Sequence, residues 1–228
     1  MCGRYALHTS PMRVAQHLGL SIDLDWDPTY NIAPGRDVPV IASDPETGEA
    51  FGTEAHWGFH PHWAGEDAPT PINARAESLR KSRYFLASFR HHRCLVPADG
   101  WYEWMEENDK KLPWYFARND GHPIVFAGLM ARGKDDSQTM AIITEPARGM
   151  AKAIHDRMPL VLTPNSITAW LAPGMTDPDE LREQVHHEPI EAFRTFRVSP
   201  AVNRPDTEGA ELITPLSSSE SSPSQHPT

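Results

Sequence analysis

Apolar positions along the chain fall into short runs, most of them strand-length, with few helical stretches between them. Ser10-Pro11 precedes Val14 and Leu18 and is followed by Gly19, the layout of an N-cap, first-turn proline, apolar stripe and glycine stop. A short helix is therefore predicted after an N-terminal strand. The stretch YNIAPGRDVPVIA reads as a proline-punctuated loop leading into a strand over 38–42, and AFGTEAHWGF reads as another strand. HPHWAGEDAPTPINARAES is too rich in Pro, Gly and His for regular structure, and a loop of that length in a compact domain is usually functional or disordered. A short helix over 84–89 comes next. Four apolar and aromatic runs follow it, RCLVPADGWYEWM, LPWYFAR, HPIVFAGLMA and QTMAIIT, broken by Asp-Gly, Asn-Asp-Gly and Lys-Asp-Asp. Such runs predict a mostly antiparallel, barrel-like β-sheet core. A helix near 147–153, a strand over 158–162, helices starting at Pro164 and Pro178 and a strand over 193–198 complete the pattern. The expected fold is α+β: one domain over 1–215 with flanking short helices, and a disordered tail over 216–228, LSSSESSPSQHPT, almost free of apolar residues.

Composition narrows the class. A chain of 228 residues can bury a full core. It has no run of about 18 apolar residues and no basic-then-apolar leader, so a soluble, cytoplasmic chain with no membrane partner is expected. Its two cysteines, Cys2 and Cys94, are too few for a zinc knuckle, and a disulfide is not expected in a reducing compartment. The histidines at 56, 60, 62, 91 and 92 lack ligand spacing, so neither metal nor cofactor is expected. The net charge of -10 argues against a general nucleic-acid coat protein. One stretch departs from that average: Arg75, Arg80, Lys81, Arg83, Arg90 and Arg93 accompany a single acid, Glu77. By itself this is either a solvated helix face or an anion-binding patch.

Candidate chemistry concentrates at a few positions. The chain opens MCGRY, and initiator methionine is normally clipped before a small second residue, which would leave Cys2 with a free α-amine beside its thiol. An α-amine has a pKa of about 7.7–8.0 and is a better nucleophile at neutral pH than a lysine. Amine and thiol can attack one carbonyl carbon in turn, the first forming an imine and the second closing a five-membered thiazolidine. The second attack is intramolecular, where effective molarities reach about 10⁵ M or more. Taken alone, Cys2 equally fits a small residue that merely permits methionine removal. In PINARAES, Asn73 and Arg75 alternate on an extended stretch, offering a carboxamide and a phosphate-sized fork, or else a turn residue and a surface arginine. In ADGWYEWM, Glu103 shares a strand face with Trp101, where desolvation would raise its pKa toward proton-transfer duty unless it lies on an edge facing water. In AIHDRMPLVL, His155 and Arg157 stand ahead of a buried strand, as a proton donor and phosphate ligand or as loop structure.

Together, MCGRY, YNIAPG, PINARAE, ADGWYEW, IHDRMPLVL and VSPAVN…GAELI resemble the SOS response associated peptidase family, with a match running from Cys2 to about Pro215. The resemblance implies a shield for abasic sites in single-stranded DNA, acting as a monomer and capturing the ring-opened aldehyde on Cys2 as a thiazolidine cross-link. By motif it implies Cys2 as nucleophile, Asn73 positioning amine or sugar, Glu103 in acid/base chemistry and His155 in ring opening. It also implies DNA contacts from Arg4, Arg75 and Arg157 to phosphates, Pro34 and Trp63 as apolar wedges, and Thr144 to the backbone. Two rival readings are a cysteine peptidase or amidase built on Cys2, and a non-catalytic single-strand binder. Imine chemistry could also end in β-elimination, giving strand cleavage as a side activity.

Overall fold

The computed structural model describes residues 2–216. Among these residues the chain forms twelve strands: β1 (Tyr5–Leu7), β2 (Thr29–Ile32), β3 (Asp37–Ser43), β4 (Ala50–Trp57), β5 (Asn73–Arg75), β6 (Arg93–Ala98), β7 (Gly100–Glu107), β8 (Lys110–Arg118), β9 (Ile124–Arg132), β10 (Gln138–Pro146), β11 (Arg157–Pro159) and β12 (Phe193–Arg197). Four short helices flank them: α1 (Pro11–Leu18), α2 (Leu86–His91), α3 (Ile167–Leu171) and α4 (Pro178–Gln184). The α+β class and the single domain are as expected. One sheet runs β12-β8-β7-β1-β2, and the other runs β11-β10-β4-β3-β6-β9 with β9 pairing back onto β10. That second sheet makes a ring but not a true barrel, because the β4–β10 seam is only two residue pairs long.

The seam also breaks the antiparallel rule. Both β4 and β5 run parallel to β10, with Met140 opposite Trp57 and Ile142 opposite Asn73. The chain leaves the sheet after Trp57 and re-enters at Asn73 along the same line, so one interrupted strand hosts the Pro-rich segment as an excursion. Its feet are pinned: the Trp57 indole donates to the Ile72 carbonyl at 2.9 Å, and the Phe59 amide donates to the Pro71 carbonyl at 3.0 Å. Period-2 patterning cannot reveal a parallel partner, so this pairing was not legible.

The Asp-Gly break divides the first aromatic run between the two sheets, with β6 in one and β7 in the other. Asp99 makes the corner: its carboxylate accepts from the His8 amide at 2.5 Å, the Thr9 amide at 2.8 Å and the Thr9 hydroxyl at 2.5 Å. Gly100 is required by close approach, since a Cβ there would lie 2.2 Å from the Phe116 carbonyl oxygen. On one face of β7, Trp101 stacks on Phe116 at 4.7 Å. The other face buries Tyr102 and Tyr115 with Val198, Val202 and Leu212. Tyr5 of β1 lies 5.3 Å from Trp57 and edge-on to Phe126 at 5.8 Å, so the N-terminal strand is anchored by large buried rings.

Several boundaries differ from expectation. The residues from Tyr30, expected as loop, belong instead to β2, which pairs antiparallel with β1, Ile32 opposite Tyr5 and Thr29 opposite Leu7. Ser10 stands before α1 in extended geometry without a side-chain cap, while Gly19 ends the helix left-handed at φ 65°. The expected helix near 147–153 is only the 3-10 turn Gly149–Ala153, and Pro164 opens the 3-10 turn Pro164–Ser166 ahead of α3. Of the expected tail, the Leu216 amide donates to the Arg197 carbonyl at 2.9 Å, and 217–228 lie outside the described residues.

Candidate active site

Three elements converge on the start of the chain. Register carries the first two together: Tyr5 pairs with Trp101, and the Tyr102 amide donates to the Arg4 carbonyl at 3.0 Å, which continues the ladder toward Gly3 and Glu103. The third is β5, where the interrupted strand resumes. The Asn73 side-chain amide donates to the Cys2 carbonyl at 3.0 Å, while its buried Oδ1 has no hydrogen-bond partner among the described residues. An oriented carboxamide with a free acceptor beside Cys2 suits the binding of an amine or hydroxyl there.

Glu103 is 2% exposed on a strand whose neighbours are aromatic. Burial, the largest influence, raises its pKa to about 7, against the opposing pull of the chain's positive amino terminus. The carboxyl group is therefore able to accept and return a proton near neutrality. Cys2 is fully buried, and burial followed by the Glu103 charge pushes its thiol well above the ordinary value. It rests as a thiol rather than a thiolate.

His155 precedes β11. Burial, then the positive amino terminus, lowers its pKa. Its Nδ1 lies 3.0 Å from the Arg157 amide and 2.9 Å from the Asp156 carboxylate. The two neighbours favour different protonation states: the amide donates to a neutral ring, whereas the carboxylate pairs with a protonated one. In the neutral state the proton sits on Nε2. Asp156, which sequence reading passed over within IHDR, also acts electrostatically on Glu103.

The remaining candidates divide by environment. Arg157 is 7% exposed, and its guanidinium forks onto Glu77 at 2.5 and 3.0 Å while donating to the Thr144 carbonyl at 2.7 Å and hydroxyl at 3.3 Å. Thr144 is likewise buried. Arg75 is exposed at the end of β5. Trp63 is 55% exposed on the excursion and meets Tyr84 edge-on at 5.4 Å. Pro34 is half-buried in the turn between β2 and β3. Arg4 turns to the other face of its sheet, donating to Asn31 and the Val202 carbonyl at 2.7 Å each and lying 5.7 Å over the Trp104 ring. In the basic stretch, Arg93 is buried and spends its donors on the carbonyls of Phe89, Arg90, Trp170 and Ala172. Arg75, Arg80, Lys81, Arg83 and Arg90 remain exposed.

Cys2 and Asn73 are thus joined by a hydrogen bond, Glu103 acts electrostatically on the Cys2 thiol, and the amino terminus acts on both Glu103 and His155, so the four candidate residues gather where the chain begins in a two-sheet α+β fold. The family model of the SOS response associated peptidase (SRAP) matches residues 1–205. The chain is 34% identical to the abasic site processing protein YedK of Escherichia coli over 95% of its own length and 100% of the relative. It is 31% identical to the abasic site processing protein YoqW of Bacillus subtilis, with 93% and 99% covered. A solved structure of a Bacteroides thetaiotaomicron protein shares the fold at a TM-score of 0.81 and 22% identity, covering 94% of this chain and 100% of that one. The chain belongs to the SRAP family.

Proposed function

We propose that this protein captures abasic sites in single-stranded DNA as a covalent cross-link through Cys2 after removal of Met1. The observation that carries the reading is the Cys2 carbonyl held by Asn73 beside a buried Glu103 whose pKa is raised to about 7. The names of the relatives above supply the substrate class.

In the first step the C1′–O4′ bond of the cyclic sugar breaks, its electron pair goes to O4′, and His155 supplies the proton while the C1′ hydroxyl proton leaves to Glu103. The neutral Cys2 amine then attacks C1′ of the aldehyde, and as the carbonyl pair moves to oxygen one amine proton follows it, giving a hydroxyl. Glu103 returns a proton to that hydroxyl, which departs as water and leaves an imine once the remaining amine proton passes to His155 and restores its imidazolium. The thiol adds to the imine carbon, and its proton passes to nitrogen. Overall, aldehyde and aminothiol give thiazolidine and water, with no change of oxidation state. The imine is also the species from which β-elimination starts, so strand cleavage is an accessible side reaction. A raised thiol pKa disfavours the peptidase reading, which needs a thiolate, but costs nothing when the amine attacks first.

For the strand, Arg75 supplies an exposed phosphate contact, Arg157 a second within reach of Thr144, and Trp63 a stacking surface, with Pro34 at the rim. Single-strand binders combine such cationic and aromatic groups without reading sequence. Arg4 serves by fixing the strand that carries Cys2, and binding is by a monomer.

The test mixes mature protein, its terminus checked by intact mass, with abasic and undamaged oligonucleotides. A denaturation-resistant adduct with the abasic strand alone, lost in Cys2→Ala, is expected. Equal behaviour of the two strands refutes the reading.

A further inference from the structure

Arg157 has its fork filled before any DNA arrives. Nη1 and Nη2 of the guanidinium bind the two oxygens of Glu77, and Nη2 also donates to the Thr144 carbonyl. The two partners differ in freedom: the Arg157 side chain is 8% exposed and that of Glu77 is 50% exposed. The arginine is fixed in the sheet by β10 and β11, with Pro146 opposite Arg157. Glu77 instead stands on the 3-10 turn Ala76–Ser78 directly after β5, two residues beyond the exposed Arg75. A carboxylate forked on guanidinium occupies the position and geometry that a phosphate would take.

We propose that Glu77 holds the place of a DNA phosphate on Arg157, and that strand binding proceeds by exchanging this carboxylate for a backbone phosphate. The exchange rests on the single-strand DNA reading above and adds to it a residue that sets specificity. A lone anion gains one contact at Arg157 and must displace a tethered competitor. A strand arrives with a neighbouring phosphate on Arg75, so displacement of Glu77 becomes the second, intramolecular half of a two-point attachment. The carboxylate therefore screens out small anions and admits polyanions. Its side chain has open solvent to move into, which the buried arginine lacks. Glu77 is held ionised, its pKa lowered chiefly by the Arg157 hydrogen bond, so the competitor is charged at neutral pH.

Two variants separate this from a general charge effect. Glu77→Gln removes the charge, and Glu77→Asp keeps it but shortens the reach, so that the carboxylate no longer spans both nitrogens. Binding of an undamaged oligothymidylate is read by fluorescence anisotropy, and stability by urea unfolding, on the full chain. Exchange predicts that both variants bind roughly fivefold tighter, the equivalent of a partly exposed ion pair. Both should also unfold at lower urea, so affinity and stability move in opposite directions. Inorganic phosphate should raise the urea midpoint of Glu77→Gln and leave that of the parent unchanged. Tightening in Glu77→Gln alone would mean that net charge, not fork occupancy, sets affinity, and would overturn the proposal. So would weaker or unchanged binding in both variants, and then a parent that still cross-links abasic DNA leaves the functional reading standing. A parent that binds no single strand removes that reading, and the exchange with it.

Discussion

Replacing Glu103 by Gln keeps the side chain's shape and removes its ionisation, which makes the raised pKa visible in stability. In the folded state the carboxyl protonates at about 7, against an ordinary value of 4.5. At about 1.4 kcal/mol for each tenfold change in proton affinity, that difference corresponds to about 3 kcal/mol. The sign follows from proton counting. Between pH 4.5 and 7 the folded chain keeps a proton that the unfolded chain has released, so stability falls as pH rises through that window. Below it, parent and variant both carry a neutral group of similar shape. Above it, the parent holds a buried carboxylate. Urea unfolding of both proteins from pH 4 to pH 8 should therefore show the parent losing about 3 kcal/mol relative to Glu103→Gln, although the variant cross-links abasic DNA more slowly. Parallel stability curves would mean an ordinary carboxylate and would remove the basis for proton transfer by this residue.

Gly100→Ala should yield little soluble protein, because a Cβ at 2.2 Å from the Phe116 carbonyl oxygen forces β7 and β8 apart; expression and circular dichroism read this. Asp99→Ala strips the acceptor from two backbone amides and the Thr9 hydroxyl. The expected loss is about 2 kcal/mol, a fall of roughly 4–8 °C in Tm by calorimetry, with slower cross-linking because β1 loosens. Arg75→Ala should weaken single-strand binding uniformly across sequences and lower the magnitude of the salt-dependence slope by about one, measured by anisotropy at several salt concentrations.

Much of the architecture was legible because aromatic strands carry a strong local signal, and the WYEW and LPWYFAR runs do become paired central strands. Pairing between distant segments was not. Nothing local to Asn73 announces that it resumes the line of β4, and nothing local to Thr29–Ile32 reveals a partner in β1. At the site, Asn73 could be tied to Cys2 only once the fold had brought residues 71 positions apart together. The roles of arginines were least legible. Arg93 and Arg75 look alike in a basic run, yet one caps carbonyls in the interior and the other faces solvent, a difference decided by burial alone. Glu77 was legible only as the single acid among those bases.

The pinned feet of the excursion between Trp57 and Asn73 have an evolutionary corollary. With both ends clamped to one line of the sheet, insertions or deletions between them leave the carboxamide in place. On the proposed function, the surface carrying Trp63 can thus be remodelled without moving Asn73 from Cys2, which lets capture chemistry and strand preference diverge independently.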